Sequence, residues 1–159
     1  MLTLSELTSR HACAGHVKWI GIRPNRREDI LSVNSVEILK AGLEGDHYAG
    51  TGKRAVTLIQ HEHLAVIASL LERPQIDPSL LRRNIVVSGI NLLAMRNSVF
   101  QIGDTVLQGA GICAPCSRME ETFGNGGYNA VRGHGGITAK VLNEGNVKLG
   151  DRVFCIANA

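Results

Sequence analysis

The sequence predicts an α+β domain: a strand-rich, β-barrel-like body with a few short helices. Three observations lead there. Short apolar runs of strand type recur from Val17 to Ile156. Two turn signals of matching form, Gly103-Asp104 and Gly150-Asp151, each stand directly before such a run. Glycine is frequent, at 18 residues of 159, which points to many turns and close backbone approaches. The length suits one domain over residues 1–159, large enough for a proper core.

Taken in order, Ser5 to His11 reads as a turn or two of helix capped by Ser5. Val17 to Arg23 alternates like a strand, and Pro24-Asn25 ends it. Arg26 to Asp29 is a charged, solvated turn. A second strand runs from Ser35 to Lys40, with Val36, Ile38 and Leu43 on one side. Gly42 to Tyr48 is a glycine-punctuated loop that Gly50 to Arg54 continues. Ala55 to Ile59 is the clearest buried strand, and Gln60 to Leu71 follows with helical spacing of Leu64, Ile67, Ala68 and Leu71. Pro74 and Pro78 break that helix, and Asp77 caps a short one through Leu81. Further strands are expected within Arg82–Gly89, Val99–Ile102, Thr105–Gln108 and Arg152–Ile156.

Composition narrows the function classes. Aromatics make up 4% of the chain, so stacking platforms for single-stranded nucleic acid are not expected. The net charge of +3 is too mild to announce a nucleic-acid binder, although it leaves room for a local anion site. No run reaches the roughly 20 apolar residues that span a bilayer, and the N-terminus does not read as a secretion signal. The four cysteines, Cys13, Cys113, Cys116 and Cys155, are therefore expected as reduced thiols in a cytoplasmic protein.

The chemistry centres on Gly109 to Gly124. A strand leads into Cys113-Ala-Pro-Cys116, and Ser117 to Phe123 reads as a short helix stopped by Gly124. A cysteine at such a junction has backbone N–H groups and the positive end of the helix beside it, which favours the nucleophilic, metal-binding thiolate. Arg118 adds positive charge. Three uses are open: a catalytic or ligand thiolate at Cys116 or Cys113, a redox dithiol, or half of a zinc site completed by Cys13, Cys155 or His134. His61-Glu-His63 lacks the four-residue histidine spacing of the zinc-helix motif and reads as a polar helix start. Lys53-Arg54, Arg82-Arg83, Arg118 and Arg132 stand next to apolar strands, and arginine suits bidentate phosphate or carboxylate binding. Gly124-Asn-Gly-Gly127 and Arg132-Gly-His-Gly-Gly136 are candidates to bring backbone N–H groups to the same anion.

In this order and spacing, several segments resemble a MOSC domain, the C-terminal module of molybdenum cofactor sulfurases that also exists as small stand-alone proteins. They are Gly42-Leu-Glu-Gly-Asp46, Arg54 to Ile59 with Glu62, Arg82 to Gly89, Gly111-Ile-Cys-Ala-Pro-Cys116, Gly133 to Gly136 and Gly150 to Val153. The likeness runs from about Val17 to Phe154. It implies a barrel-like fold, the molybdenum cofactor (molybdopterin) as ligand, and one hallmark cysteine that carries sulfur or ligates molybdenum. Cys116 matches that cysteine. Arg83 and Asn84 match positions near the pterin phosphate, and Arg54 and Thr57 match a strand close by. His134 and Arg118 join them as candidates by position alone. On these terms Arg83→Ala weakens cofactor binding far more than folding.

Cys113 departs from the pattern as an extra thiol, and Asp46-His47 replaces the commoner Gly-Asp-Arg-His form. Nothing identifies a Schiff-base lysine, so no pyridoxal phosphate machinery is expected in the chain. The expectation is a molybdenum-cofactor protein. Either Cys116 ligates molybdenum for reduction of N-hydroxylated compounds, with a separate electron-donor reductase, or Cys116 carries a persulfide from a cysteine desulfurase. A non-catalytic delivery module and a zinc or dithiol redox protein are the alternatives.

Overall fold

The structure, a computed structural model, describes residues 1–158. Its centre is an antiparallel-rich barrel built from β1 (Gly15–Ile22), β5 (Val56–Gln60), β6 (Ile85–Ser88), β7 (Ser98–Ile102), β8 (Thr105–Ile112), β9 (Ile137–Asn143) and β11 (Arg152–Asn158). The strand order is β11-β7-β8-β9-β5-β6-β1. A further β11–β1 pairing, Gly15 opposite Val153, closes the ring of seven. The short β2 (Leu31–Val33) continues the sheet beyond β1. A second sheet orders β10 (Gly145–Lys148), β3 (Ser35–Leu39) and β4 (Gly42–Leu43).

Closure lets the inward side chains fill one core. Ile20, Val56, Leu58, Ile85, Val87, Phe100, Ile102, Leu107, Ile137 and Val153 converge there. The Gly103-Asp104 signal works as read: Ile102 pairs with Thr105 across it, and Gly103 adopts φ +55°, open to glycine at little cost.

The strand β5 looks continuously apolar because both of its faces are covered. Val56 and Leu58 point into the barrel, while Ile59 joins an outer cluster with Ile67, Leu81, Val86, Met119, Phe123 and Val131. That cluster lies under α2 (His61–Leu70), α3 (Ser117–Phe123) and α4 (Gly127–Val131). Helix α2 also makes the crossover that sets β5 and β6 parallel, with Leu58 opposite Ile85. Asp77 caps the 3₁₀ turn Pro78–Leu81 through its carboxylate, which accepts from the Ser79 N–H.

Several elements differ from the sequence expectation. The N-terminal helix α1 is Leu4–Thr8, and Thr3, not Ser5, caps it: the Thr3 hydroxyl and Glu6 carboxylate form a reciprocal capping box. Strand β8 continues to Ile112, because register shifts near Gly109 and Gly111 preserve its pairing with β9. Strands β2, β9 and β10 and helix α4 were not expected at all. In β9 the inward positions include the small Ala139, and glycines flank the run, so it reads as loop.

Candidate active site

The end of β8 and the start of α3 place the two thiols. The Cys113 N–H donates to the Gly136 carbonyl at 2.9 Å, which pins the loop to the start of β9, and its side chain is only 2% exposed. Three residues on, Cys116 is the N-cap of α3 in extended backbone (φ −116°, ψ 171°). Its thiol is exposed and makes no capping hydrogen bond. Met119 N–H closes the first helical turn onto the Cys116 carbonyl at 3.0 Å. Both cysteines are free, and both line one cavity of about 240 Å³.

The opposite walls come from four other parts of the chain. Arg23 and Ile30 follow β1, Asp46, His47 and Tyr48 follow β4, and Arg54 and Thr57 flank and enter β5. Arg82, Arg83 and Asn84 lead into β6. Thus Cys116, Cys113, Arg54, Thr57, Arg83 and Asn84 are brought together as the sequence suggests.

Their bonding separates them into two groups. The buried Arg83 guanidinium donates through Nε to the Gly135 carbonyl (2.8 Å) and through one terminal nitrogen to the Leu81 carbonyl (3.0 Å). The other terminal nitrogen donates to the carbonyls of Cys113 (3.4 Å) and Ala114 (3.2 Å). Four of a guanidinium's five N–H donors are thereby engaged. Thr57 hydroxyl donates to Asn84 Oδ1 at 3.1 Å and accepts from Asn84 N–H at 3.0 Å, while Asn84 Nδ2 donates to the Gly21 carbonyl at 3.2 Å. These three side chains clamp β1, β5, β6 and the cysteine loop to one another. Arg54, by contrast, is exposed at the cavity wall.

Sequence reasoning missed Arg23 as a site residue. It is 6% exposed, and its Nε lies buried with no hydrogen-bond partner. Its backbone is held from both sides: the N–H donates to Asp46 Oδ1 at 2.7 Å, and the carbonyl accepts from the His47 N–H at 2.7 Å. Burial pushes its pKa down, and the neighbouring Arg82 and Arg118 push further, against Asp46 and Asp29. The signal in the sequence was an arginine ending an apolar strand immediately before Pro24. Arg82 is likewise lowered, by burial first and then by Arg118 and Arg83, against the opposing effect of Glu121. It also sits in the left-handed region, φ 60°.

Arg118 lines an adjoining hollow together with Arg23 and Arg82. His134 does not line the thiol cavity. Its ring meets that of His63 edge-on, centroids 5.3 Å apart, with Nδ1 buried and unpartnered. Of the two suggested glycine loops, the first is engaged from within: the Glu120 carboxylate accepts from the N–H groups of Gly126 (3.1 Å) and Tyr128 (3.4 Å). The zinc arrangement is not formed either. Cys13 and Cys155 face a separate hollow, and among the described residues no three His, Cys, Asp or Glu side chains are grouped to hold a metal. No helix there is long and apolar enough to cross a membrane.

Comparison with known proteins fits this architecture. The YuaD protein of Bacillus subtilis superposes with a TM-score of 0.79 at 18% identity, covering 91% of this chain and 96% of that one. YiiM of Escherichia coli gives 0.69 at 17% identity, covering 91% and 71% respectively. YiiM of Geobacillus stearothermophilus gives 0.71 at 18%, covering 89% and 75%. At these identities the likeness establishes the fold alone. No curated protein matches the sequence. The MOSC domain family model matches residues 45–154, more than half of the chain and inclusive of both cavity cysteines, and the chain belongs to the MOSC domain family.

Proposed function

We propose that this chain binds the molybdenum cofactor at the thiol cavity, with the Cys116 thiolate as the molybdenum ligand. The observation that carries the proposal is an exposed, uncapped thiol opening onto an arginine-rich cavity. Soft thiolate suits molybdenum, and a cationic wall suits a pterin phosphate, so the residues present fit the group. Arg54, exposed at the cavity wall, is a cation placed to hold the phosphate. Arg83, Asn84 and Thr57 act one step back: they fix the loop and strands from which Cys116 and Arg54 project. When bound, the cofactor supplies a redox-active metal able to take oxygen from a small N-hydroxylated compound, with electrons from a separate reductase.

A second use of the same thiol is favoured by the burial of Cys113 beside an exposed Cys116. One accessible thiol can receive a persulfide from a cysteine desulfurase while its neighbour stays protected. In either use the protein works where thiols stay reduced, as in the cytoplasm.

The test is elemental analysis of the chain co-expressed with cofactor synthesis, wild type beside Cys116→Ser. Near-stoichiometric molybdenum in the wild type and its loss from a folded variant are expected. Molybdenum retained by the variant sinks the ligand assignment. Absence of molybdenum from both leaves only the persulfide use.

A further inference from the structure

Arg83 spends its charge on carbonyls, whereas Arg23 does not. Its Nε is buried without a partner in a side chain only 6% exposed, and it lines both the thiol cavity and the adjoining hollow of about 500 Å³. Arg82 lines both hollows too, and Arg118 closes the second from α3. A donor left unpaired in the interior costs free energy unless a ligand accepts from it. Arg82 adds a left-handed backbone, unfavourable for a side chain of its size and located where strain often marks a working site. The acids facing these cations, Asp46 and Asp29 for Arg23 and Glu121 for Arg82, offset them only in part, and Asp46 Oδ1 already accepts the Arg23 backbone N–H.

We propose that Arg23, Arg82 and Arg118 form an oxyanion seat beside Cys116, and that the seat takes a thiosulfate-class sulfur donor. The inference rests on Cys116 being the working thiolate. The thiolate attacks the outer, sulfane sulfur of the donor, a new S–S bond forms at Cys116, and the donor's S–S bond breaks with its electron pair on the departing sulfite. The product is a Cys116 persulfide. No external oxidant is needed, because the donor sulfur already stands at the required oxidation level. Sulfite leaves as a stable anion and calls for no proton donor, only for cations to hold its oxygens, which a trio of arginines provides.

The test uses the metal-free full chain with thiosulfate as the probe. Sulfite release and a mass increase of one sulfur atom on Cys116 are expected. Arg23→Gln and Arg82→Gln should each slow both by about tenfold or more, the scale of one lost charge-assisted bond. Iodoacetamide, which is neutral, should reach the same limiting rate of Cys116 alkylation in both variants at a pH high enough to ionise the thiol fully, separating loss of the seat from loss of the fold and from loss of thiolate. Two variants are used because Arg23 is buried. Absence of sulfite release, or equal rates in both folded variants, overturns the proposal. Protection of Cys116 by inorganic phosphate without any sulfur transfer also overturns it, and assigns the seat to a phosphate-bearing cofactor. Molybdenum loading is measured separately, so failure here leaves Cys116 as metal ligand untouched.

Discussion

Replacing Arg83 by alanine tests whether this arginine serves the ligand or the loop. Sequence likeness placed it at a phosphate; the structure gives its guanidinium four carbonyl contacts, two short at 2.8 and 3.0 Å and two longer at 3.2 and 3.4 Å. The residue is 5% exposed, so water cannot replace it freely. Counting two good bonds and a shared weaker pair at roughly 1 kcal/mol or more each, together with the space left behind, the loss is about 3–5 kcal/mol. For a chain of this size that corresponds to a melting temperature lower by roughly 6–20 °C.

Urea titration followed by circular dichroism reads the stability. Alkylation mapping reads the loop, because the Cys113 carbonyl is one of the contacts and its side chain is only 2% exposed. In the variant, Cys113 should label at a rate approaching that of Cys116; in the wild type it should stay protected. Arg83→Lys keeps the charge but loses the planar fork, so it should fall between the two. If Arg83→Ala melts with the wild type and Cys113 stays protected while cofactor loading fails, Arg83 is a ligand residue and the clamp assignment is wrong.

Two further perturbations probe the shell around the site. Burial holds the His63 pKa below its ordinary 6.5, His134 adds repulsion, and Glu62 opposes both. The unfolded chain therefore binds this proton more readily, so the contribution is intact above the unfolded value and is lost as pH falls below it. The slope is at most about 1.4 kcal/mol per pH unit. His63→Gln should flatten the difference in urea midpoint between about pH 7.5 and about pH 5, and an unchanged slope would discount the histidine pair. Gly136 and Gly133 share a φ of +85°, but a Cβ at Gly136 would lie 1.8 Å from the Leu58 carbonyl oxygen, whereas at Gly133 it meets nothing within 4 Å. Gly133→Ala should cost only the backbone penalty of about 1–2 kcal/mol, and Gly136→Ala should exceed it by several kcal/mol or abolish soluble expression. Equal costs would mean that β5 and β9 separate more easily than their packing indicates.

How much of this was legible in the sequence depends on how local each cause is. Helix α3 ends where Gly124 stops it, the Asp77 cap sits where expected, and the Gly103-Asp104 and Gly150-Asp151 turns form, because each rests on neighbours within a few residues. Family order singled out Cys116 and Arg54, and the fold brings both to one cavity. The roles of the arginines were not. Arg83 and Arg23 are equally charged, equally near an apolar strand and equally buried. What separates them is the company of Gly135 and Cys113 for one and a bare Nε for the other, across 52 and 30 residues in the case of Arg83. With four of its five donors on carbonyls, the Arg83 guanidinium has one left to give a ligand, whereas the Arg23 Nε, which no motif marks, has none engaged. The same reasoning applies to the glycine loops. The N–H groups of the Gly124–Gly127 loop looked free for a phosphate, yet Glu120, already in the expected helix, reaches six and eight residues on to Gly126 and Tyr128 and occupies those two first. In this fold, the cations and donors open to a ligand are those the chain has not itself neutralised, and the hydrogen bonds of the folded chain identify them.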